Sequence, residues 1–304
     1  MAAQLPWSTV RVPASSANLG PGFDALGLAL DIPLTVRFRA SKEVIIHATG
    51  RDAESIPPGE NNLIWQTALR IASESGRTLP GVEMEIHNEI PLGRGLGSSA
   101  SALVAGVVIA NQLLNLGWST ERLLDEAARI EGHPDNVAAC VLGSIVASAI
   151  DQQGTARAVR LELPDWCGVS VIVPSFVLPT VESRQVLPTS YSKADAIFNV
   201  QRSALLIAAL CTGNRAAFPT ALEDRFHQPY RERLVPGLAE ILKLRLPGLL
   251  GCALSGAGPS VLVFFERGFE QVCERVREQF LLKGHEAEIL PAPIAQTGYT
   301  LSQD

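Results

Sequence analysis

The sequence Pro91-Leu-Gly-Arg-Gly-Leu-Gly-Ser-Ser-Ala-Ser101 decides how the rest of the chain is organised. Residues 82–87 before it alternate apolar and polar side chains, which predicts a half-buried strand. Residues 100–114 after it are mostly apolar over about four helical turns, which predicts a helix. Glycines between a strand and a helix let backbone N–H groups approach an anion, and the helix start adds further unpaired donors.

This stretch therefore predicts a phosphate-binding loop. The alternative is an ordinary strand-to-helix turn with Ser99 as the N-cap, but such a turn rarely needs three alternating glycines. Two common phosphate motifs do not fit. No lysine follows the last glycine, as G-x-x-x-x-G-K-[ST] requires, and the glycines are evenly spaced, unlike those of G-x-G-x-x-G.

The composition indicates a folded, globular protein. Of its 304 residues 47% are apolar and 18% charged, which is enough for a packed core, and the net charge of −6 gives no support for a nucleic-acid surface. The five cysteines show no C-x-x-C spacing, which favours reduced thiols. No signal peptide is visible, and the longest apolar run, residues 102–110, is too short to span a bilayer. We expect a cytoplasmic protein that binds neither membranes nor nucleic acid.

Three further stretches carry candidate site residues. Residues 13–24 (Pro-Ala-Ser-Ser-Ala-Asn-Leu-Gly-Pro-Gly-Phe-Asp) could be a plain loop, but they collect short hydrogen-bonding side chains and a carboxylate. Residues 131–136 (Glu-Gly-His-Pro-Asp-Asn) suit metal and phosphate chemistry, or equally a helix C-cap followed by a turn. Residues 255–260 (Ser-Gly-Ala-Gly-Pro-Ser) could form a hairpin turn in which the glycines adopt positive φ.

Together these stretches resemble the GHMP kinases, the family of galactokinase and of homoserine, mevalonate and phosphomevalonate kinases. The phosphate loop matches that family from Pro91 to Ser101. Residues 13–24 and 131–138 match its homoserine kinases in particular, and residues 255–260 match its third motif. The resemblance covers essentially the whole chain.

The resemblance implies an α+β, two-domain GHMP kinase fold, with an N-terminal half like ribosomal protein S5 domain 2 and a ferredoxin-like C-terminal half. Residues 1–163 would form the nucleotide-binding domain, and residues 164–304 would complete the substrate site. The implied reaction is ATP- and Mg²⁺-dependent phosphorylation of the side-chain hydroxyl of L-homoserine in threonine biosynthesis, and the expected assembly is a homodimer. Another small-molecule kinase of this family and a catalytically silent sensor with the same fold are the alternatives.

The resemblance also implies roles for single residues. Ser99 and Glu131 would bind the metal, Asn136 would orient the acceptor hydroxyl, and Asp135 would support it. His133 is interpreted as structural rather than as a metal ligand. Asn62, whose alternative role is a helix N-cap, would lie near the nucleotide base. The phosphates would be held by Pro91, Leu92, Gly93, Arg94, Gly95, Leu96, Gly97, Ser98, Ser99, Ala100 and Ser101.

An amino-acid acceptor presents an ammonium group and a carboxylate. Asn18 and Asp24 would take the ammonium group. Arg184 and Arg231 would take the carboxylate, because a guanidinium offers paired planar donors. Thr180 would share this pocket with Asn136.

Overall fold

The computed structural model describes residues 6–303 and shows an α+β protein with two antiparallel-rich sheets. The strands are β1 (Ser8–Ala17), β2 (Leu26–Ser41), β3 (Ile45–Gly50), β4 (Gly81–Asn88), β5 (Ile145–Ile150), β6 (Ala156–Leu161), β7 (Cys167–Pro174), β8 (Leu249–Leu254), β9 (Val261–Glu266), β10 (Ala287–Pro291) and β11 (Thr300–Gln303). The helices are α1 (Leu63–Glu74), α2 (Ser98–Leu113), α3 (Thr120–Glu131), α4 (Asp135–Leu142), α5 (Thr180–Gln185), α6 (Lys193–Thr212), α7 (Phe218–Ala221), α8 (Gln228–Arg231), α9 (Leu238–Ile241) and α10 (Val272–Leu282).

Helix α2 lies at the centre of the first half of the chain. It is apolar on almost every side, and residues 103–110 are all buried. A helix without a polar face must be covered all round, and α2 packs against α1, α3, α4 and β1. This burial fixes the direction of the helix and therefore the place where its N-terminus meets the glycine-rich loop.

The first sheet has the strand order β11-β1-β2-β4-β3, with β5 paired to β2 and β6 paired to β5. Only β3 and β4 run parallel. The β1–β2 register shifts between Pro13 and Ala14, and β1 continues beyond this bulge to Ala17. The strand then ends in two residues with positive φ, Asn18 and Leu19. The loop expected for residues 14–17 is thus extended sheet, which holds its serines in fixed positions.

The second sheet has the order β10-β7-β9-β8, and all its neighbours are antiparallel. The elements follow one another as strand, helices, two strands, helix and strand, which agrees with the predicted ferredoxin-like half. One face packs on the first core through Val171, Leu262 and Phe264. The other face is covered by α9 and α10, with Val263, Val276 and Phe280 in a second core.

The end of the chain returns to the first sheet. Strand β11 pairs with β1, Ile294 bridges to Leu30, and the Ser144 N–H donates to the Ala295 carbonyl at 2.7 Å. The predicted second domain, residues 164–304, therefore sends its last segment across to the first sheet. The boundary near residue 163 itself remains a prediction.

Helix α6 connects the second half to residues 18–24. Of the helices in residues 6–303 it alone has the length and hydropathy that a membrane span requires. Its Asn199 and Ser203 side chains both donate to the Pro21 carbonyl, at 3.1 and 2.9 Å. The helix thus anchors the segment that follows β1.

Candidate active site

Three segments that are remote in sequence meet at the N-terminus of α2. Ser15 N–H donates to the Leu96 carbonyl at 3.1 Å, and Gly256 N–H donates to the Ala17 carbonyl at 3.1 Å. The Ser255 hydroxyl contacts both Ser16 Oγ and the Gly95 carbonyl, at 2.8 and 2.7 Å. The three motifs found in the sequence therefore form one structure.

The carbonyl groups of residues 93–96 in the glycine-rich loop are all held by protein donors. Those of residues 93, 94, 95 and 96 accept hydrogen bonds from Leu178 N–H, Ser260 N–H, Ser255 Oγ and Ser15 N–H. In contrast, none of the N–H groups of residues 93–97 donates to another residue of the described chain. Because these carbonyls are bound by the surrounding protein and the N–H groups are unused, the loop can bind an anion.

Gly95 and Gly97 lie so close to other parts of the protein that neither position has room for a side chain. A Cβ on Gly97 would lie 2.0 Å from Ser15 Oγ, and one on Gly95 would lie 2.3 Å from the Ser255 carbonyl oxygen. Both residues also have positive φ. Gly93 differs, because a Cβ there would meet only Val177, at 3.5 Å. The close approach at Gly95 and Gly97 is thus to the protein itself, which sets the shape of the loop.

Helix α2 begins at Ser98, and its N-cap is Gly97 rather than Ser99. The first N–H groups of a helix have no partner within the helix and carry the positive end of its dipole. Ser98, Ser99 and Ala100 line a cavity of about 110 Å³ together with Gly93, Gly95, Leu96 and Gly97.

A second cavity of about 270 Å³ adjoins the first through Ser98 and Ser99. Its walls are mostly apolar, with Ile56, Leu63 and Ile86 among them. Asn62 lines this cavity and is also the N-cap of α1, because its Oδ1 accepts from Ile64 N–H at 3.0 Å. Both roles considered for Asn62 are therefore compatible with its place.

The loop residues do not all reach a cavity. Leu92 lines the second cavity, where its N–H is held by the Asp52 carboxylate at 2.9 Å. Pro91, Arg94 and Ser101 line neither of the two cavities. Arg94 donates to the Ser175 carbonyl, and the Ser101 hydroxyl donates to the Pro13 carbonyl. These contacts support the loop away from the two cavities.

Glu131, the last residue of α3, lies in the wall of the first cavity. Its carboxylate has no hydrogen bond or ion pair to any other residue among those described. Burial raises the pKa of this carboxyl above its ordinary value, although the nearby His133 opposes the effect. A half-buried carboxylate without a partner fits a site for a hard divalent cation.

The neighbouring segment forms a local network. His133 Nδ1–H donates to Asp135 Oδ1 at 2.7 Å, and the same oxygen accepts the Asn136 N–H at 2.7 Å. Burial lowers the pKa of His133, but the hydrogen bond and the charge of Asp135 outweigh it and raise the pKa above 6.5. The Asp135 carboxylate is almost fully buried and committed to these contacts. Asn136 is held from another side, because Ser15 Oγ donates to its Oδ1 at 2.9 Å.

Asp24, His133 and Asp135 also lie close enough for a shared cation, with their ligand atoms within 4.8 Å of one another. Two of these charges already have partners. Asp24 forms an ion pair with Arg184, and Asp135 binds His133. Glu131 thus remains the better match for a metal.

The proposed acceptor residues surround the same cavity. Asn18, Asp24, Thr180, Arg184 and Arg231 all line it. The Asn18 amide is used within the protein, since Nδ2 donates to the Gly256 carbonyl and Oδ1 accepts from the Asp24 N–H, both at 3.0 Å. Asn18 therefore shapes the pocket in addition to lining it.

Arg231 is a buried cation with 1% of its surface exposed. Within residues 6–303 its hydrogen bonds go only to neutral groups: Nε donates to the Ser183 carbonyl at 3.1 Å, and Nη1 donates to the Gly256 carbonyl at 3.0 Å and to His227 Nδ1 at 3.1 Å. Burial, together with the charge of Arg184, lowers the pKa of Arg231 to about 10, so it remains charged at neutral pH. A buried guanidinium without a carboxylate partner is costly, and an anionic ligand would compensate it.

Two aromatic residues of the site did not stand out in the sequence. The Phe23 ring lies 5.8 Å from the Arg184 guanidinium carbon and 5.7 Å from that of Arg231. The His227 ring stacks on Phe23, with ring centroids 5.4 Å apart. Phe23 lies within a quoted motif and could have been noticed there, but His227 has no spacing signal.

Comparisons with known proteins agree with this geometry. Residues 62–144 match the GHMP kinases N terminal domain, and residues 206–281 match the GHMP kinases C terminal domain. The chain is 64% identical over 303 residues to a homoserine kinase of Solibacter usitatus, covering 100% of both chains. It is 44% identical to a homoserine kinase of Deinococcus radiodurans, covering 95% of each.

A solved structure supports the same relationship. The crystal structure of homoserine kinase from Cytophaga hutchinsonii superposes with a TM-score of 0.85 at 28% identity, covering 99% of both chains. The family and fold expected from the motifs are thus confirmed. Sequence, fold and site geometry agree that the chain belongs to the GHMP kinases, in the homoserine kinase branch of that family.

Proposed function

We propose that this protein transfers the γ-phosphate of ATP to the side-chain hydroxyl of L-homoserine, forming O-phospho-L-homoserine in threonine biosynthesis. The observation that carries the choice of acceptor is Arg231, a buried guanidinium in the cavity wall that contacts only neutral groups. Beside it lie a second arginine, Arg184, and a carboxylate, Asp24. The site thus offers cations for a carboxylate and an anion for an ammonium group.

The two cavities give ATP and homoserine separate places. The apolar second cavity suits the nucleotide base, with Asn62 at its wall. The phosphates would lie on the N–H groups of residues 93–97 and at the start of α2, where Ser98 and Ser99 separate the cavities. The acceptor would occupy the first cavity between Asn136 and the arginines. This order would bring the hydroxyl beside the terminal phosphate.

Ser99 and Glu131 would hold Mg²⁺. A hydroxyl and a carboxylate are oxygen ligands of the kind this cation prefers. When bound, Mg²⁺ would neutralise charge on the phosphate oxygens. The residues of the chain would position the reactants, which is most of what phosphoryl transfer requires of a protein.

Asn136 would orient the acceptor hydroxyl. With Oδ1 held by Ser15, its amide has a defined rotation at the cavity wall. Asp135 is buried against His133 and would support Asn136 rather than remove a proton. A loose transition state lets the hydroxyl lose its proton late, so a committed base is not required.

The remaining proposals concern the protein as a whole. The proposed domain boundary lies near residue 163, with the final strand crossing back to the first sheet.

Five free cysteines support a reducing, cytoplasmic location without membrane attachment. The exposed apolar side chains Ile197, Val200 and Leu205 on α6 support a homodimer, which sedimentation equilibrium would test.

An ADP-release assay with homoserine, mevalonate, galactose and serine tests the function. We expect turnover with homoserine and a much lower kcat/KM with the other three. Preference for mevalonate or galactose would place the chain in another branch of the family. ATP and homoserine binding without any ADP release would favour the silent sensor.

A further inference from the structure

The Arg231 guanidinium is held on two of its three nitrogens. A guanidinium has five N–H donors, and three of those in Arg231 are used by the Ser183 carbonyl, the Gly256 carbonyl and His227 Nδ1. The two donors on Nη2 have no partner among the described residues. Because Arg231 lines the first cavity, Nη2 is the nitrogen left for a ligand.

The chemistry of its partners fixes the state of His227. Nε2 lies 2.8 Å from the Gly20 carbonyl and 3.5 Å from Asp224 Oδ2, and both oxygens can only accept a hydrogen bond. Nδ1 lies 3.1 Å from Arg231 Nη1, which can only donate one. His227 must therefore be neutral, with its proton on Nε2 and a lone pair on Nδ1. A protonated ring would place one N–H against another and lose the bond to Arg231.

The surroundings hold the imidazole in this orientation. His227 is completely buried, and Phe23 stacks against it. Asp224 accepts the backbone N–H groups of residues 226, 227 and 228, at 2.7 to 2.9 Å, which fixes the turn that carries His227. Asn199 donates to Asp224 at 2.7 Å and secures it in turn.

We propose that His227 is a positioning residue for the acceptor substrate. Its Nδ1 lone pair fixes the rotation of the Arg231 guanidinium and so presents Nη2 to the substrate carboxylate. The inference rests on the proposed function, since it requires Arg231 to bind that carboxylate. His227 itself touches neither substrate nor nucleotide.

Two substitutions separate the two hydrogen bonds of the ring. In His227→Asn the amide oxygen can occupy the place of Nδ1 and still accept from Arg231. In His227→Gln the amide nitrogen can occupy the place of Nε2 and still donate to Gly20, but the acceptor for Arg231 is lost. His47→Gln, at an exposed position, is the matched control.

We expect His227→Gln to raise the KM for homoserine about tenfold, the typical effect of losing a hydrogen bond to a charged group. His227→Asn should raise it less, and His47→Gln should leave it unchanged. The KM for ATP should stay near its original value in all three. Homoserine whose carboxylate is reduced to an alcohol should be used about equally by His227→Gln and the parent enzyme.

Equal effects of the asparagine and glutamine variants, or a parallel rise in the KM for ATP, would overturn the proposal. Arg231→Ala separates this inference from the proposed function. If Arg231→Ala keeps the parental KM for homoserine, the assignment of the carboxylate site fails. If Arg231→Ala raises that KM and His227→Gln does not, only the positioning role of His227 fails.

Nitrogen NMR of the parent enzyme covers the case in which the glutamine variant does not fold. The His227 ring should show a protonated Nε2 and an unprotonated Nδ1. Homoserine should shift the Nδ1 resonance, whereas the analogue without a carboxylate should shift it much less. A proton on Nδ1, or equal shifts with the two ligands, would contradict the proposal without any substitution.

Discussion

Asp24 and Arg184 form an ion pair across the mouth of the acceptor cavity. Arg184 Nη2 lies 2.9 Å from Asp24 Oδ1, and Nη1 lies 3.4 Å from Oδ2. These two residues are proposed to hold opposite ends of the same substrate. Homoserine binding must therefore exchange this contact, in part, for contacts to its own ammonium group and carboxylate.

Arg231 and Arg184 differ in burial and in partners, which predicts that removing each one has a different effect. Arg231→Ala should raise the KM for homoserine at least tenfold, since truncating a buried charged partner costs about 2 kcal/mol or more. Arg184 is 40% exposed and already paired, so Arg184→Ala should raise this KM less. Steady-state kinetics should show a nearly constant KM for ATP in both. A larger effect of Arg184→Ala would reverse the assignment.

The glycine-rich loop offers a graded series. Gly97→Ala and Gly95→Ala place a Cβ against Ser15 and Ser255, whereas Gly93→Ala meets only Val177 at an ordinary contact distance and carries backbone strain of about 1–2 kcal/mol. We expect the first two to lower both the melting temperature and ATP affinity, and Gly93→Ala to lower them less. Calorimetry with ATP and thermal denaturation measure the two effects. If Gly97→Ala lost ATP binding but kept normal stability, the protein would have accommodated the added Cβ, and the expected loss of stability would be wrong.

Asn136 should affect turnover more than binding. Asn136→Ala should lower kcat without abolishing it, because the side chain orients the hydroxyl. Ser15→Ala removes the bond that holds Asn136 and should lower kcat by a smaller factor. Single-turnover measurements separate this step from product release. An inactive Asp135→Asn that binds both substrates, beside a fully active Asn136→Ala, would exchange the two roles.

Glu131→Gln tests the metal site. Loss of one ligand charge should reduce activity at low Mg²⁺, and raising the Mg²⁺ concentration should restore part of it. Glu121→Gln, on the exposed start of the same helix, is the control. Activity of Glu131→Gln that does not respond to Mg²⁺ would remove Glu131 from the metal site.

His227 should make stability fall in mild acid. Burial and the charge of Arg231 keep the pKa of His227 below 6.5, although Asp224 and Asp24 oppose them. Below pH 6.5 the unfolded chain therefore binds a proton that the native protein excludes. Relative to His227→Gln, the parent should therefore lose unfolding free energy between pH 6.5 and 5.5. Urea denaturation at both pH values measures this, and an unchanged difference would indicate that the native ring is protonated.

The motifs that meet at the candidate site could be recognised in the sequence because each one is local. The loop at residues 91–101, the caps Asn62 and Ser119, and helix α3 all follow from neighbouring residues. Long-range contacts were not readable in the same way. The need for glycine at residue 97 comes from Ser15, and the partner of His227 Nε2 is Gly20, which is 207 residues away.

Some local structure differs from what the sequence pattern indicates. The pattern of residues 214–226 predicts a helix, but only α7, Phe218–Ala221, is a regular α-helix there. The Asp224 side chain instead accepts the N–H groups of the next turn and starts α8, a competition between side chain and backbone that helical periodicity does not reveal. The pattern of residues 174–188 predicts an extended segment, but these residues contain α5. Strands β6 and β11 are short and largely exposed, so the apolar pattern does not reveal them.

The hydrogen bonds that hold the carbonyls of residues 93–96 lower the free energy that the loop must spend on reorganisation during catalysis. A loop whose peptide groups are already locked by the surrounding protein does not have to reorganise when charge develops on the phosphate. The required order is established once, during folding, and is not lost and regained in each catalytic cycle. ATP therefore meets a preorganised dipolar surface, and its binding should show a small entropy penalty from the loop.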